Sequence, residues 1–121
     1  MATKRRLELR IGDAGAVLDR LEQKWNRLAA GETLEPERVL TLPDLPALLA
    51  ALTPARWVLI GKLRAEGPLS VYELAKRLGR DYKNVHTDVR RLIELEVVER
   101  RDAKRVGVAW DLVRAEIRLG A

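Results

Sequence analysis

The fold is decided by residues 70–92, SVYELAKRLGRDYKNVHTDVRRL. Ser70 and Glu73 have the spacing of a capping box, in which the serine hydroxyl and the glutamate each satisfy a free amide at the start of a helix. Gly79 follows the last apolar residue of this helix, at the position that favours a left-handed backbone, so the helix is predicted to end there. Asp81 is a good N-cap for the next helix. The stretch therefore predicts a short helix, a tight turn and a second helix.

Signals of the same kind continue on both sides of this stretch. Thr53 followed by Pro54 is typical of a helix start, and that helix is expected to stop at Gly67. Residues 97–108 hold two short β-branched runs on either side of a polar turn at residues 102–104, which predicts a hairpin. Three helices followed by a basic hairpin are the layout of a winged helix-turn-helix. The predicted fold class is α+β, mostly α, with a strand-helix extension before the winged helix-turn-helix.

The helix after Asp81 is predicted to have two different faces. Val85, Val89 and Leu92 form an apolar stripe that would hold it on the domain. The opposite face is polar, and a B-DNA major groove, about 12 Å wide, admits one such helix. Asparagine suits adenine, whereas arginine and lysine suit guanine. The candidate DNA-binding residues on and beside this helix are Arg80, Tyr82, Lys83, Asn84, His86, Thr87, Arg90 and Arg91.

Two further groups are expected to contact the DNA backbone. Ser70 and Arg77 lie at the short helix, whose free N-terminal amides can hold a phosphate. The hairpin would lie beside phosphates or in the minor groove. Its candidate residues are Arg100, Arg101, Lys104 and Arg105. An ordinary solvated surface is the alternative interpretation of all these polar residues.

The excess positive charge of the chain lies in one segment. Residues 1–53 hold eight Lys or Arg and eight Asp or Glu, whereas residues 54–105 hold thirteen and eight, a net charge of +5. Residues 106–121 balance two against two. A local basic excess attracts phosphate backbones, and counterion release supplies affinity. This distribution favours double-stranded DNA as the partner of the second half of the chain.

The first half of the chain has its own pattern of elements. The predicted elements are a strand at Leu7–Ile11, a helix capped by Asp13 with apolar positions from Val17 to Leu28, a strand at Val39–Leu42 and a helix over residues 45–52. We expect residues 1–53 to form an extension for dimerisation or partner binding. Residues 54–121 are expected to form the DNA-binding domain, closed by a strand at residues 112–119.

Residues 53–91 resemble the MarR-like winged-helix regulators of prokaryotes. More narrowly, the stretch from Gly79 to Val89, GRDYKNVHTDV, resembles the DNA-binding family that includes the TumA-type antitoxins. The resemblance implies transcriptional control by a homodimer, and it implies neutralisation of a small toxin as an alternative main task. The chain departs from the pattern after the third helix, where Glu96 stands in place of the usual glycine, and the hairpin tip also lacks one.

Other functional classes find little support in the sequence. The chain has no cysteine and one histidine, His86, so we expect no metal site, no cofactor and a cytoplasmic location. No nucleophile, base or acid stands in a catalytic pattern, and an enzyme is not expected. The sequence therefore predicts a sequence-specific transcriptional regulator that acts as a repressor, with the antitoxin-type interaction module as the alternative.

Overall fold

The chain is an α+β protein with five helices and two three-stranded sheets in a computed structural model that describes residues 5–12, 14–32, 37–117 and 119. The helices are α1 (Ala14–Ala29), α2 (Leu45–Ala51), α3 (Pro54–Glu66), α4 (Val71–Leu78) and α5 (Tyr82–Glu94). The strands are β1 (Arg6–Ile11), β2 (Glu37–Leu42), β3 (Leu69–Ser70), β4 (Glu99–Arg100), β5 (Arg105–Gly107) and β6 (Leu112–Glu116).

The chain divides into two compact units. The parallel-sheet unit comprises Met1–Leu48 and Asp111–Ala121, and the helical unit comprises Leu49–Trp110. The parallel-sheet unit is built on strand order β2-β1-β6, with both neighbours parallel to β1. Leu7 and Leu9 alternate with polar residues along β1 and are buried, as the alternation in the sequence predicts. The predicted N-cap Asp13 lies outside the described residues.

The C-terminal strand differs from the prediction. Residues 112–119 were expected to close the DNA-binding domain at residues 54–121, but β6 pairs with β1, with Leu7 opposite Val113. Asp111 contributes to this pairing because its carboxylate accepts a hydrogen bond from the Arg5 amide at 2.9 Å. The segment after Trp110 therefore belongs with the first part of the chain. Strand pairing between residues about a hundred positions apart leaves no local signal in the sequence.

The helices α3, α4 and α5 begin at the predicted capping residues. The Thr53 hydroxyl accepts from the Arg56 amide at 3.3 Å, and the Ser70 hydroxyl accepts from the Glu73 amide at 3.1 Å. The Asp81 carboxylate accepts from the Asn84 amide at 3.3 Å. Three predicted N-caps are thus confirmed. Gly79 ends α4 with φ 65°, a left-handed conformation that glycine adopts without strain.

The core of the helical unit is aliphatic, and α3, α4 and α5 all contribute side chains to it. The largest fully buried side chains here are Leu59, Leu63, Leu74, Val85, Leu92, Val97 and Val98. Burial of each such side chain stabilises the fold by about 1.5–3 kcal/mol relative to exposure. The core fixes which side of α5 faces inward, and therefore which side faces solvent.

A small antiparallel sheet, in the order β3-β5-β4, lies beside the helices. The chain leaves α5 through Glu96, whose φ of 64° is left-handed, and the amides of Val97 and Val98 both donate to the Leu92 carbonyl. The Trp110 indole donates to the Glu96 carbonyl at 3.0 Å. Glu96 occupies the position that is usually glycine in winged helices, and its backbone is left-handed as a glycine's would be. The predicted hairpin of β4 and β5 is present.

Candidate nucleic-acid interface

Helix α5 presents one continuous polar face to solvent. Its inward stripe is nearly inaccessible, with Val85 and Leu92 at 0% and Val89 at 2% exposure. The exposed residues of α5 are Tyr82, Lys83, Asn84, His86, Thr87, Arg90, Arg91 and Glu94. The predicted orientation of this helix is therefore confirmed, and seven of the eight predicted residues around it lie exposed on α5.

Two local contacts order the first turns of this face. The Thr87 hydroxyl donates to the Lys83 carbonyl at 3.0 Å, a bond within the helix that fixes its rotamer. The rings of Tyr82 and His86 lie 5.8 Å apart and are tilted by 38°. Lys83 and Asn84 lie in the first turn of the helix, next to these ordered side chains.

A cleft of about 330 Å³ separates α5 from the hairpin of β4 and β5. Its apolar lining comes from Val71, Val89, Ile93 and Val106. Its polar lining comes from His86, Arg90 and Arg100. Arg90 belongs to α5 and Arg100 belongs to β4, so the fold brings cations from two elements to one opening.

Ion pairs occupy most of the basic residues of the helical unit. Of the thirteen Lys and Arg in residues 54–105, the seven that contact carboxylates are Arg56, Lys62, Arg77, Arg80, Arg91, Arg101 and Arg105. Arg64 donates to the Trp110 carbonyl. Of the same thirteen, five have no hydrogen-bond or ion-pair partner for their side chains among the described residues: Lys76, Lys83, Arg90, Arg100 and Lys104. Four of these five lie on α5 or the β4–β5 hairpin.

Arg80 lies in the predicted turn before α5, but its guanidinium is bound to a carboxylate within the fold. Its Nη2 donates to the Asp88 carboxylate at 2.8 Å, and the other Asp88 oxygen accepts from Arg56 Nε at 3.0 Å. Arg56 also donates to the Ala51 carbonyl at 2.8 Å, at the end of α2. The Asp88 and Arg56 side chains are only 15% exposed. Arg80 therefore ties the turn before α5 to Asp88 on α5, and Asp88 in turn joins α5 to Arg56 on α3.

The predicted phosphate site at the start of α4 has an unfavourable charge balance. The Ser70 hydroxyl already accepts from the helix, and Arg77 contacts Glu73 at 3.1 Å and Glu66 at 3.6 Å. An open cleft of about 570 Å³ beside Ser70 is lined by the carboxylates Glu73 and Asp102 as well as by two cations. Arg77 does not line this cleft and is held by two carboxylates, so the structure does not bring Ser70 and Arg77 together as a phosphate site.

The hairpin tip is ordered by Asp102. Its carboxylate accepts from the amides of Lys104 and Arg105, both at 2.9 Å, and from Arg105 Nε at 2.7 Å. The bond from the Lys104 amide, and then those from Arg105, hold the pKa of the Asp102 carboxyl below its usual range. An aspartate thus stabilises a turn that lacks glycine, and it leaves Lys104 free to contact a ligand.

Arg101 is held against the hairpin. It pairs with Glu99 at 2.9 Å, and its guanidinium lies where a side chain at Gly107 would stand, with Nε 2.9 Å from the position of an added Cβ. Arg105 is held by Asp102, as described above. Of the four hairpin cations predicted to contact DNA, Arg100 and Lys104 are therefore the available ones.

Sequence reasoning missed the role of Asp88 and Arg56. Neither residue was expected to have a structural role. The two residues are 32 positions apart and carry no shared motif, so only the packing of α3 against α5 brings them together. The one hint in the sequence is that Asp88 directly precedes Val89, a residue of the buried stripe, so its side chain lies at the edge of the inward face of α5.

The described residues contain neither a candidate metal-binding cluster nor a helix that could span a membrane. No group of three or more His, Asp or Glu among them is arranged to hold a metal ion. In the same part of the chain, no helix is long and apolar enough to cross a membrane.

The fold and this surface define a small α+β protein with a cationic helix-and-hairpin face. The model of the HVO_A0114 family matches residues 51–115, and since the match spans more than half of the chain, the protein belongs to the HVO_A0114 family. The matched segment includes α3, α4, α5 and the hairpin. No curated protein and no solved structure matched the chain.

Proposed function

We propose that the protein is a sequence-specific DNA-binding regulator of transcription that uses a winged helix-turn-helix. In this proposal α3, α4 and α5 are its three helices, α5 is the recognition helix, and the β4–β5 hairpin is the wing. The observation that carries the proposal is the position of the unpaired cations. Lys83, Arg90, Arg100 and Lys104 lie on adjoining elements without a carboxylate partner, whereas the neighbouring Arg91, Arg101 and Arg105 each contact a carboxylate.

The dimensions of α5 suit a major groove. Its thirteen residues span about 20 Å at 1.5 Å per residue, and a helix of ordinary diameter fits the groove. Lys83 and Asn84 lie in its first turn, where recognition helices contact base edges. The amide of Asn84 can pair with adenine, and Lys83 can donate to guanine. These two side chains are the proposed source of sequence preference.

The wing supplies the complementary contact to the backbone. Arg100 and Lys104 would face phosphates when α5 enters the groove, and Arg90 stands between the two elements at the cleft. Phosphate contacts position a protein on DNA, whereas base contacts select the sequence. We therefore assign Arg100 and Lys104 to affinity, and Arg90 to a base or to a phosphate beside it. Repression of a nearby operon in the cytoplasm is the role that the resemblance to MarR-like regulators supports.

The test begins with selection from a random duplex library, because the DNA sequence recognised is not fixed by the fold. Enriched duplexes are then compared with scrambled duplexes by fluorescence anisotropy at several salt concentrations. We expect the selected DNA to bind tighter by a factor of about a thousand or more. We also expect affinity to fall steeply with salt, because phosphate contacts release counterions.

Matched variants separate contact residues from bulk charge. Arg90→Ala and Arg91→Ala remove the same charge from the same helix, but Arg91 is paired with Glu94 at 3.2 Å. We expect Arg90→Ala to weaken selected binding by about 1–3 kcal/mol, and Arg91→Ala to have a much smaller effect. Arg100→Ala should lower the salt slope by about 1.

Failure of the selection to enrich any sequence would overturn sequence-specific recognition. Equal losses for Arg90→Ala and Arg91→Ala would show that net charge alone governs binding. In that case the cleft between α5 and the wing would have no particular role in DNA recognition.

A further inference from the structure

Helix α1 presents an apolar stripe to solvent. Leu18 and Leu21 are each 63% exposed, Trp25 is 71% exposed and Leu28 is 52% exposed. Their spacing of three, four and three residues places them on one side of the helix, over a length of about 15 Å. Single exposed apolar residues are ordinary, but a contiguous stripe of this size marks an interaction surface.

The parallel-sheet unit does not itself use this stripe. Among the described side chains of α1, those of Arg20 and Lys24 are half-buried and the others are exposed. Arg20 donates to the Thr41 hydroxyl of β2 at 3.2 Å. The charged side of α1 is therefore the one directed toward the sheet. A helix that crosses between two parallel strands ordinarily packs its apolar face on them. Here the apolar face of α1 is exposed to solvent instead.

We propose that the occupant of this stripe is the same stripe of a second copy of the chain. The four side chains offer about 400–500 Å² of apolar surface per copy, or roughly 1,000 Å² for a pair, on ordinary side-chain areas. A stable interface buries about 1,200–2,000 Å² in total, so the polar residues that flank the stripe complete the required area. A two-fold pair needs only one self-complementary patch, and alternating steps of three and four residues form such a seam between helices.

The distribution of charge favours this face over any face of the helical unit. Residues 1–53 carry no net charge, whereas residues 54–105 carry +5 in each copy. Contact through α1 therefore brings two neutral segments together, and two basic segments would repel each other. This inference deepens the proposed function and rests on it in one respect: the basic surfaces of both copies stay available for DNA.

Sedimentation velocity of the full chain without DNA, over a range of concentrations, tests the pairing. We expect the wild type to be a dimer at micromolar concentration. Because tryptophan at the centre of an interface is a typical hot spot, Trp25→Ala should raise the dimer dissociation constant about 30-fold or more. Leu21→Glu should give a monomer, because pairing would bury two charges.

Val58→Glu is the matched control. Val58 lies on α3 and is 65% exposed, so the change introduces the same charge on an apolar surface outside the stripe. It should leave the dimer intact. Because all these side chains are exposed, every variant should keep the helical content of the wild type by circular dichroism. A folded wild type that is still monomeric at 100 µM overturns the inference. This holds both for a stripe that stays exposed and for one that a different protein covers. A dimer that Val58→Glu breaks and Leu21→Glu spares also overturns it.

The two proposals fail separately. If Leu21→Glu is monomeric and the wild-type dimer shows no preference among duplexes, the DNA-binding proposal fails and the α1 interface stands. If the wild type is a monomer that still selects one DNA sequence, the α1 interface fails and DNA binding stands. A dimer that binds DNA should prefer two half-sites about one helical turn, roughly 34 Å, or a multiple of it apart.

Discussion

Replacing Asp88 by alanine is the substitution expected to damage the helical unit most specifically. The Asp88 carboxylate accepts from Arg56 at 3.0 Å and from Arg80 at 2.8 Å, so one side chain joins α5 to α3 and to the turn that precedes α5. Without the carboxylate, two guanidinium groups face each other in a partly dehydrated site. One nitrogen of Arg80 is already buried without a hydrogen-bond partner among the described residues, which leaves that side chain little room to compensate.

The expected loss is about 2–4 kcal/mol of unfolding free energy. A hydrogen bond to a charged group contributes about 1.5–3 kcal/mol, and removing one partner of a fully buried ion pair costs about 3–5 kcal/mol. The site is not fully buried, since Arg80 is 29% exposed and Asp88 is 15% exposed, and rehydration of the arginines lowers the cost. Asp88→Asn keeps one acceptor and loses the charge, so it should fall between the wild type and Asp88→Ala.

Urea denaturation followed by tryptophan fluorescence measures this loss. A Trp25→Phe background leaves Trp57 and Trp110 as the fluorophores, and both belong to the helical unit. With a urea dependence of about 1.5 kcal/mol per molar, the midpoint of Asp88→Ala should fall by roughly 1.3–2.7 M. Glu94→Ala, which removes the partner of the exposed Arg91, is the control.

The control should lose less than about 0.5 kcal/mol, because exposed pairs contribute little. A double-mutant cycle of Asp88→Ala with Arg80→Ala should give a coupling of at least about 1 kcal/mol. Equal effects of Asp88→Ala and Glu94→Ala would refute the reasoning, because the network would then behave as an ordinary surface pair.

Two further substitutions test the turn after α5 and the tip of the hairpin. Glu96→Gly should raise the unfolding free energy by about 0.5–1 kcal/mol, because glycine adopts a φ of 64° without strain. The control is Glu94→Gly, inside α5, which should lower the unfolding free energy by about 1 kcal/mol. If thermal unfolding shows a loss of similar size for both variants, the left-handed backbone at Glu96 is not a source of strain. For Asp102, the lowered pKa means that its contribution to hairpin stability is complete above the pKa of the unfolded chain and is lost as the pH falls through the lower pKa of the folded state. A carboxyl titration by NMR should therefore have its midpoint below the usual range of aspartate, and a midpoint within that range would show that the tip is not held by the bonds at Asp102.

The elements of the helical unit are predictable from the sequence because their signals are local. A capping residue, the amide it satisfies and the glycine that ends the helix all lie within a few positions of one another. Ser70, Gly79 and Asp81 therefore fix the helices and the turn between them before any tertiary contact is considered. The inward side of α5 follows from the same reasoning, since Val85, Val89 and Leu92 recur with the helical period.

The partners of individual side chains are not predictable in this way. Arg80 and Arg90 look alike in the sequence, because both are arginines at or near a polar helix face. Packing directs Arg80 toward Asp88 and leaves Arg90 at the cleft. The pairing of β6 with β1 is a similar case, since each strand is short and its pattern is compatible with more than one sheet.

The distinction between Arg80 and Arg90 changes what a basic segment implies. A net charge of +5 over residues 54–105 describes attraction at long range, where every cation counts equally. At contact distance a cation that is already paired with a carboxylate has part of its charge and some of its donors engaged by that partner, which costs part of what it would gain from a phosphate. The unpaired Lys83, Arg90, Arg100 and Lys104 incur no such cost. The proposed binding surface is therefore defined by the four of these unpaired cations that lie on α5 and the hairpin, a grouping that bulk composition could not have revealed.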